Sequence, residues 1–401
     1  MPSRLSRLEP FASITVSNYD TNYSSSCICH ICCCVRCFKE GKRVSEQIRA
    51  MPVEHIEEVS PDWMRRALGA DVEFSDLISK PIGTGQMADS FRVELIGLQK
   101  KTSAELSSVV VKMQAANELA RLAGAGGSYK SEVSFYADLA STVSIRTPEC
   151  YYATGPDEDG RFALVLQDMA PAQQGDQLLG CSPEQARAAV VNLAGLHGPR
   201  WCDPSLKNIS WLRYVTQVEA EYFQETLAAS TKGFIEHYAD RLTEPEVQVL
   251  RAFAPKCGSW LLDRRDRFTL VHGDYRLDNL LFANTNGEVS VSTVDWQTLE
   301  VGNPGRDLAY FLGNSLLPDQ RRAHEQSLVR AYHDALLSHD IEDYSFEACM
   351  DDYRFGQFQG PLITILAAHG LAHTERGDDM FIAMCSRACE AIRDLGSLEL
   401  L

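Results

Sequence analysis

What this chain lacks narrows its function first. No apolar run approaches the ~18–20 residues that a membrane-spanning helix needs. The longest candidate, residues 361–368, is soon broken by His369, Gly370 and His373. Positive charge is scarce: 38 Lys and Arg stand against 55 Asp and Glu, a formal net charge of −17. A nucleic-acid partner is therefore not expected, because phosphates demand a basic face. Thirteen cysteines are present, yet no two Cys-x₂-Cys pairs are separated by the ~15–20-residue loop of a zinc frame. Repeats and low-complexity tracts are missing after residue 50, and the strand–helix–strand alternation of a doubly wound sheet does not recur. What remains is an ordinary globular composition, 45% apolar and 23% charged, over 401 residues. That is enough chain for two or three domains, since single cores stop growing at about 250–300 residues.

The cysteines are unevenly placed. Six lie in residues 27–37 (CICHICCCVRC), and Cys150, Cys181, Cys202, Cys257, Cys349, Cys385 and Cys389 are scattered singly. Scattered single cysteines in a chain of this size read as reduced, buried small hydrophobes of a cytoplasmic protein. The cluster, with His30 inside it, would bind a metal only on a folded scaffold. Residues 1–50 show neither helical nor strand periodicity and no secretory apolar core. They read as a disordered Cys-rich extension, or as the product of a start codon upstream of Met51.

Beyond Met51 the elements become legible. Ser60 as N-cap and Pro61 at the first helical position open a helix with Trp63, Met64 and Leu68 on one face. Residues 91–95 alternate as a half-buried strand, and 107–113 (SSVVVKM) form a β-branched run that carries Lys112. A helix over 129–139 contains Glu132, and 151–153 with 162–166 predict a hairpin across the turn-rich 155–160. After Ala170 the texture turns helical. Ser182 and Pro183 cap a helix reaching His197, and helical patterns recur at about 210–240, 244–262, 306–337, 345–374 and 378–396. The order predicts an α+β protein with a small β-rich lobe over 51–170 and a larger, mainly helical lobe over 171–401.

The most informative stretch is 270–282, LVHGDYRLDNLLF. It holds His272, Gly273, Asp274 and, five positions on, Asn279; a later β-rich run delivers Asp295 just before Trp296. Those are the parts phosphoryl transfer needs. One carboxylate accepts the proton of the attacking hydroxyl, while an amide oxygen and a second carboxylate hold Mg²⁺ on the phosphates. The blander reading makes Asp274 and Asn279 turn caps. Gly83 and Gly85 lie between strand candidates, where backbone amides can approach phosphate, or where a hairpin simply turns. Taken alone, Lys112 is a solvated strand-end residue.

The HGD-x₄-N loop, the later Asp295 and the stretches IGTGQMADSFRV and LVLQDMAPAQQGDQ resemble the aminoglycoside and choline kinase-like phosphotransferases, nearest their ecdysteroid kinase-like (CHK kinase-like) branch. The resemblance covers about residues 75–395 and implies a protein kinase-like bilobal fold, with a nucleotide-binding N-lobe and a C-lobe whose catalytic loop lies between helices. It implies ATP and Mg²⁺ as cofactors, Asp274 as base, and Asn279 and Asp295 on the metal. Lys112 and Glu132 would form the ion pair that positions the phosphates, with Gly83 and Gly85 over them. The carbonyl of Gln167 and the amide of Met169 would meet adenine. Asp307, in GNPGRDLAY, would brace the loop through backbone amides, while His197 reads as a satisfied core histidine and Trp201 as packing. The acceptor would be a small-molecule alcohol, with the helical segment at about 205–260 and the C-terminal helices recognising it. Tyr214, Tyr222, Phe223, Tyr353, Phe355 and Phe358 are candidates for a cation cage, or for core. A protein substrate is not expected, because no activation-loop phosphosite or APE-like motif follows Asp295. The rival reading is a catalytically inactive nucleotide-binding or scaffold protein on the same fold, whose usual signature is loss of these charged residues.

Deleting residues 1–50 is expected to leave folding and turnover unchanged, as judged by soluble yield and activity. An insoluble or inactive product would make the cysteine-rich arm part of the structure.

Overall fold

A computed structural model describes residues 50–69, 72–83, 87–98, 106–125 and 127–401. The extension expected over residues 1–50 therefore lies outside the described residues except for Ala50. The chain divides into two compact units, one of Met1–Asp138 with Glu149–Asp168, the other of Leu139–Pro148 with Met169–Leu401.

The first unit is a twisted antiparallel sheet with short helices. Ser60 caps α1 (Pro61–Leu68) by accepting the Trp63 amide at 3.2 Å, and Pro61 takes the first position, as the sequence predicts. Strands β1 (Asp76–Ile82), β2 (Ala88–Ile96) and β3 (Ser108–Gln114) follow, then α2 (Glu118–Ala125), α3 (Ser128–Ser134), β4 (Cys150–Thr154) and β5 (Ala163–Gln167). The sheet order is β1-β2-β3-β5-β4, with every neighbouring pair antiparallel. Alternation sorts the faces. Val109, Val111 and Met113 join Val93, Leu95, Val165, Trp63 and Met64 in one apolar cluster. Lys112, one residue out of phase with them, points to the other face. The helix expected over 129–139 runs as α3 and then loosens into a π-helical turn over Phe135–Leu139. Ala50 also belongs to this unit: it is 1% exposed and its carbonyl accepts the Tyr152 hydroxyl at 2.5 Å. A truncation that spares the core therefore ends before Ala50.

The second unit is mainly helical around two small sheets. Its elements are β6 (Gln173–Gln174), α4 (Pro183–His197), β7 (Arg213–Tyr214), α5 (Gln217–His237), α6 (Glu244–Phe253), α7 (Cys257–Leu262), β8 (Thr269–Val271), β9 (Leu280–Thr285), β10 (Glu288–Thr293), β11 (Glu300–Gly302), α8 (Gly305–Ser315), α9 (Pro318–Leu337), α10 (Phe346–Gly356), α11 (Gln359–Gly370) and α12 (Glu375–Asp394). The sheets have the orders β10-β9-β6 and β7-β11-β8. Leu227, Phe234, Phe253, Trp260, Phe355, Phe358, Phe381 and Ile392 belong to one core cluster, which draws on α5, α6, α7 and α10–α12.

Several long helical patterns prove to be pairs. The run at 306–337 breaks at Leu316–Leu317 because Pro318 cannot continue a helix but can start one. The 244–262 run breaks at the turn holding Pro255, and the pattern from 210 contains β7 before Thr216 caps α5. The run at 345–374 breaks after Gly356. There α10 crosses α8 so closely that a Cβ on Gly356 would lie 2.1 Å from the Gly305 carbonyl oxygen. The loop expected between helices instead joins β8 to β9.

Gly356→Ala is expected to cost about 1–3 kcal/mol, as overpacking against backbone does. Gly370→Ala, where nothing lies within 4 Å of a Cβ, should fall within about 1 kcal/mol of wild type or gain slightly from helix propensity. Paired urea denaturation curves check the contrast.

Candidate active site

In the second unit, β8 ends at Val271 and the chain turns through His272, Gly273 and Asp274 before a 3₁₀ turn over Leu277–Asn279 leads into β9. Gly273 has φ +82°, and a Cβ there would lie 2.6 Å from the Thr298 carbonyl oxygen, so the turn admits only glycine without distortion. Asp307, in the first turn of α8 and fully buried, accepts the amides of His272 at 2.6 Å and Gly273 at 2.9 Å. Burial works to raise the Asp307 pKa, but the His197 hydrogen bond and the loop amides it accepts outweigh it and hold the carboxyl below its ordinary value. His197 is itself fully buried, 2.6 Å from the Tyr332 hydroxyl and 3.3 Å from Asp307. It is the satisfied core histidine the sequence suggests.

His272 is fully buried against Trp296, ring centroids 4.8 Å apart. Its Nε2 lies 3.2 Å from the Val294 carbonyl and its Nδ1 accepts the Asp274 amide at 3.3 Å, a pairing that selects the Nε2–H tautomer. The Val294 amide donates to the Asn279 carbonyl at 3.0 Å, next to the β9–β10 pair Leu280 and Thr293. That register places Asn279 and Asp295 at the same end of one hairpin. Asp295 adopts φ +68°, a left-handed conformation uncommon for non-glycine residues and concentrated at functional sites.

Asp274 is ringed by donors. Oδ1 accepts the Tyr310 hydroxyl at 2.8 Å, Oδ2 accepts Asn279 Nδ2 at 2.9 Å, and Arg276 Nε lies 3.1 Å from the carboxylate. Its side chain is still 23% exposed, so it can meet a substrate that Asp307 cannot. Arg276 also donates to Asp278 at 2.6 Å. Burial first, and then the Asp274 charge, push the Tyr310 phenol well above its ordinary value, so it stays a donor. Asn279 spends its amide nitrogen on Asp274, which leaves its side-chain oxygen as an acceptor. With the Asp295 carboxylate, that makes an all-oxygen donor pair of the kind hard Mg²⁺ prefers.

Tyr310 and Arg276 are site residues that motif reading passes over. Arg276 sits inside the quoted motif and was legible as a charge between two aspartates. Tyr310 is visible only as one helical turn after Asp307, on the face that already grips the loop.

In the first unit, Lys112 Nζ lies 2.9 Å from Glu132 Oε1 and 2.7 Å from Oε2, with side chains 10% and 1% exposed. Tyr129, one turn before Glu132, anchors the helix that carries it. Its ring stacks on Phe162 at 4.5 Å, and its hydroxyl lies 2.5 Å from the Met87 carbonyl and 2.9 Å from that of Ala120. Gly83 has φ +77° with open space where a Cβ would stand, and Gly85 lies outside the described residues. Gln167 is the exposed last residue of β5. In the second unit, the Met169 carbonyl accepts the Ala172 amide at 2.9 Å in a turn.

The aromatic candidates form no cage among the described residues. Tyr353, Phe355 and Phe358 are core, while Tyr214 already carries Lys207 and Arg265, and Phe223 carries Arg213. A groove of about 1100 Å³ in this unit lies between the start of α4 and the β9–β10 hairpin and includes no predicted site residue. No helix among the described residues is long and apolar enough to cross a membrane.

Residues 83–342 match the model of the ecdysteroid kinase-like family. A choline kinase from Cryptosporidium parvum aligns over 86% of this chain and 96% of its own, with TM-score 0.51 and 13% identity, which shows a shared kinase-like fold. A Plasmodium vivax ethanolamine kinase aligns over 78% of this chain and 82% of its own, with TM-score 0.49 and 12% identity. Among curated sequences, mouse acyl-CoA dehydrogenase family member 10 is 48% identical over 54 residues, 13% of this chain and 5% of that protein. The match to acyl-CoA dehydrogenase family member 11 of Pongo abelii, 38% identical over 56 residues, likewise spans only 7% of its length.

Asp307→Asn should cost about 1.5–3 kcal/mol, the range for hydrogen bonds to a charged partner. Because the folded pKa of Asp307 is depressed, its stabilisation is present above the unfolded carboxyl value of about 3.9 and is lost as pH falls through the folded value. Melting curves of wild type should therefore fall more steeply below about pH 4 than those of Asp307→Asn.

Proposed function

The chain belongs to the ecdysteroid kinase-like family, and on that premise we propose an ATP- and Mg²⁺-dependent phosphotransferase that phosphorylates a hydroxyl of a small molecule. The observation that carries this reading is the partly exposed Asp274 carboxylate, held by Tyr310, Asn279 and Arg276 on the loop that abuts Asp295.

Asp274 orients the acceptor hydroxyl and takes its proton at a carboxylate oxygen as the oxygen attacks phosphorus. Tyr310 and Arg276 fix the plane of that carboxylate, so little orientation is left to pay at the moment of reaction. Asn279 and Asp295 hold Mg²⁺, which when bound neutralises charge on the phosphates. Glu132 holds the Lys112 ammonium for the phosphates, Gly83 and Gly85 admit them near backbone amides, and Gln167 with Met169 serve adenine. Seven free cysteines among the described residues, five of them buried, fit a reducing compartment such as the cytoplasm. A nucleotide-binding assay with and without Mg²⁺, followed by ATP turnover over a library of alcohols, tests the reading. Mg²⁺-dependent binding with no turnover would make the protein a scaffold.

Asp274→Asn should lower kcat about 10²–10⁴-fold, the span for losing a general base, with ATP affinity little changed. Activity within a few-fold of wild type would remove Asp274 from that role. Asp295→Ala should abolish Mg²⁺-dependent nucleotide binding and turnover together, since a carboxylate carries charge to the ion. Asn279→Ala removes only a dipole and should leave activity that excess Mg²⁺ or Mn²⁺ partly restores. Equal metal rescue of the two variants at fixed ATP would place the ion elsewhere.

A further inference from the structure

His237 closes α5, His373 lies in the connection between α11 and α12, and Asp378 sits in the first turn of α12. The two imidazoles stack, centroids 4.4 Å apart and planes 29° from parallel. His373 Nδ1 lies 2.8 Å from Asp378 Oδ1, and the Tyr238 hydroxyl donates to the same oxygen at 2.6 Å. One ligand atom from each of the three residues lies within 4.8 Å of the others. None of them belongs to the catalytic arrangement.

We propose that His237, His373 and Asp378 form a binding site for a divalent transition-metal ion of the Zn²⁺ type. Two imidazole nitrogens and one carboxylate oxygen are a borderline-soft donor set, suited to Zn²⁺, Co²⁺ or Ni²⁺ and unsuited to Mg²⁺. Tetrahedral bonds of about 2.0–2.1 Å place neighbouring ligand atoms about 3.3 Å apart. Both histidines are exposed, so their rings can rotate to close the remaining distance without backbone movement. Tyr238 supplies the outer hydrogen bond that commonly orients a ligating carboxylate.

The ion would tie the end of α5 to the first turn of α12. Arg376, on that turn, lies 3.9 Å from both Asp176 and Asp278, and the sulfur of Met380 accepts from Arg276 Nη1 at 3.3 Å. The staple thus fastens the helix start whose side chains touch the loop carrying Asp274.

The test uses the untagged full-length chain, stripped with chelator and titrated with Zn²⁺ against a chromophoric chelator in excess Mg²⁺. The six cysteines of residues 27–37 are a second candidate for Zn²⁺, so the readout is a difference between proteins. Wild type should bind one equivalent more than His237→Ala or His373→Ala. The Co²⁺ difference spectrum should show visible ligand-field bands without a near-ultraviolet thiolate band. Tyr238→Phe should keep the equivalent at about 10–100-fold weaker affinity. Melting in chelator should match across all variants, and if either alanine variant fails to fold, Tyr238→Phe decides. Equal stoichiometry and affinity in every protein would overturn the site, as would a thiolate band in the difference spectrum. Because the readout is metal binding, it stands or falls independently of phosphotransferase activity.

Discussion

The geometry of the loop depends on one buried carboxylate. Asp307 takes the amides of His272 and Gly273 from below, and only a glycine at 273 lets the chain come that close to Thr298. A buried carboxylate is costly unless its lone pairs are filled by donors. Here they are filled by the loop itself and by His197, which Tyr332 orients from α9. The loop is thus held from α8, α4 and α9 together. Tyr310, on the same helix as Asp307, extends the grip from the backbone to the carboxylate of Asp274. Backbone and functional side chain are positioned by one helix that is buried along its whole length.

What could be read from the chain was what is close in sequence or forced by local chemistry. His272, Gly273, Asp274 and Asn279 share one short loop, so spacing alone placed them together. Lys112 is a charge inside an apolar strand and Glu132 a charge on the second helix after it, and burial forced them to pair. The capped starts of α1 and α4 followed from Ser–Pro pairs. Helix length was less legible, because apolar periodicity continues across Pro318, Pro255 and Gly356 although the backbone does not. The Tyr310 contact depends on how α8 is rotated against the loop, and no local pattern encodes that. Asp295 was expected at a strand end, but its left-handed backbone was not.

The net charge of −17 hides a local balance. At the loop, Asp274 and Asp278 share Arg276, so two nearby carboxylates coexist without repelling each other out of register. Asp274 stays partly exposed while Tyr310 and Asn279, which orient it, are buried and Arg276 beside it is 19% exposed. That division, an accessible carboxylate on a rigid and fully satisfied frame, is what a general base requires and what a turn cap does not.

The most direct measurement follows the phosphoryl group. The protein would be incubated with γ-labelled ATP, Mg²⁺ and an unfractionated small-molecule extract, and the labelled products separated. The account predicts label in a small-molecule phosphomonoester, dependent on Mg²⁺ and lost when Asp274 is replaced by asparagine. Label that appears only in inorganic phosphate or in protein, or that survives the substitution unchanged, would contradict it.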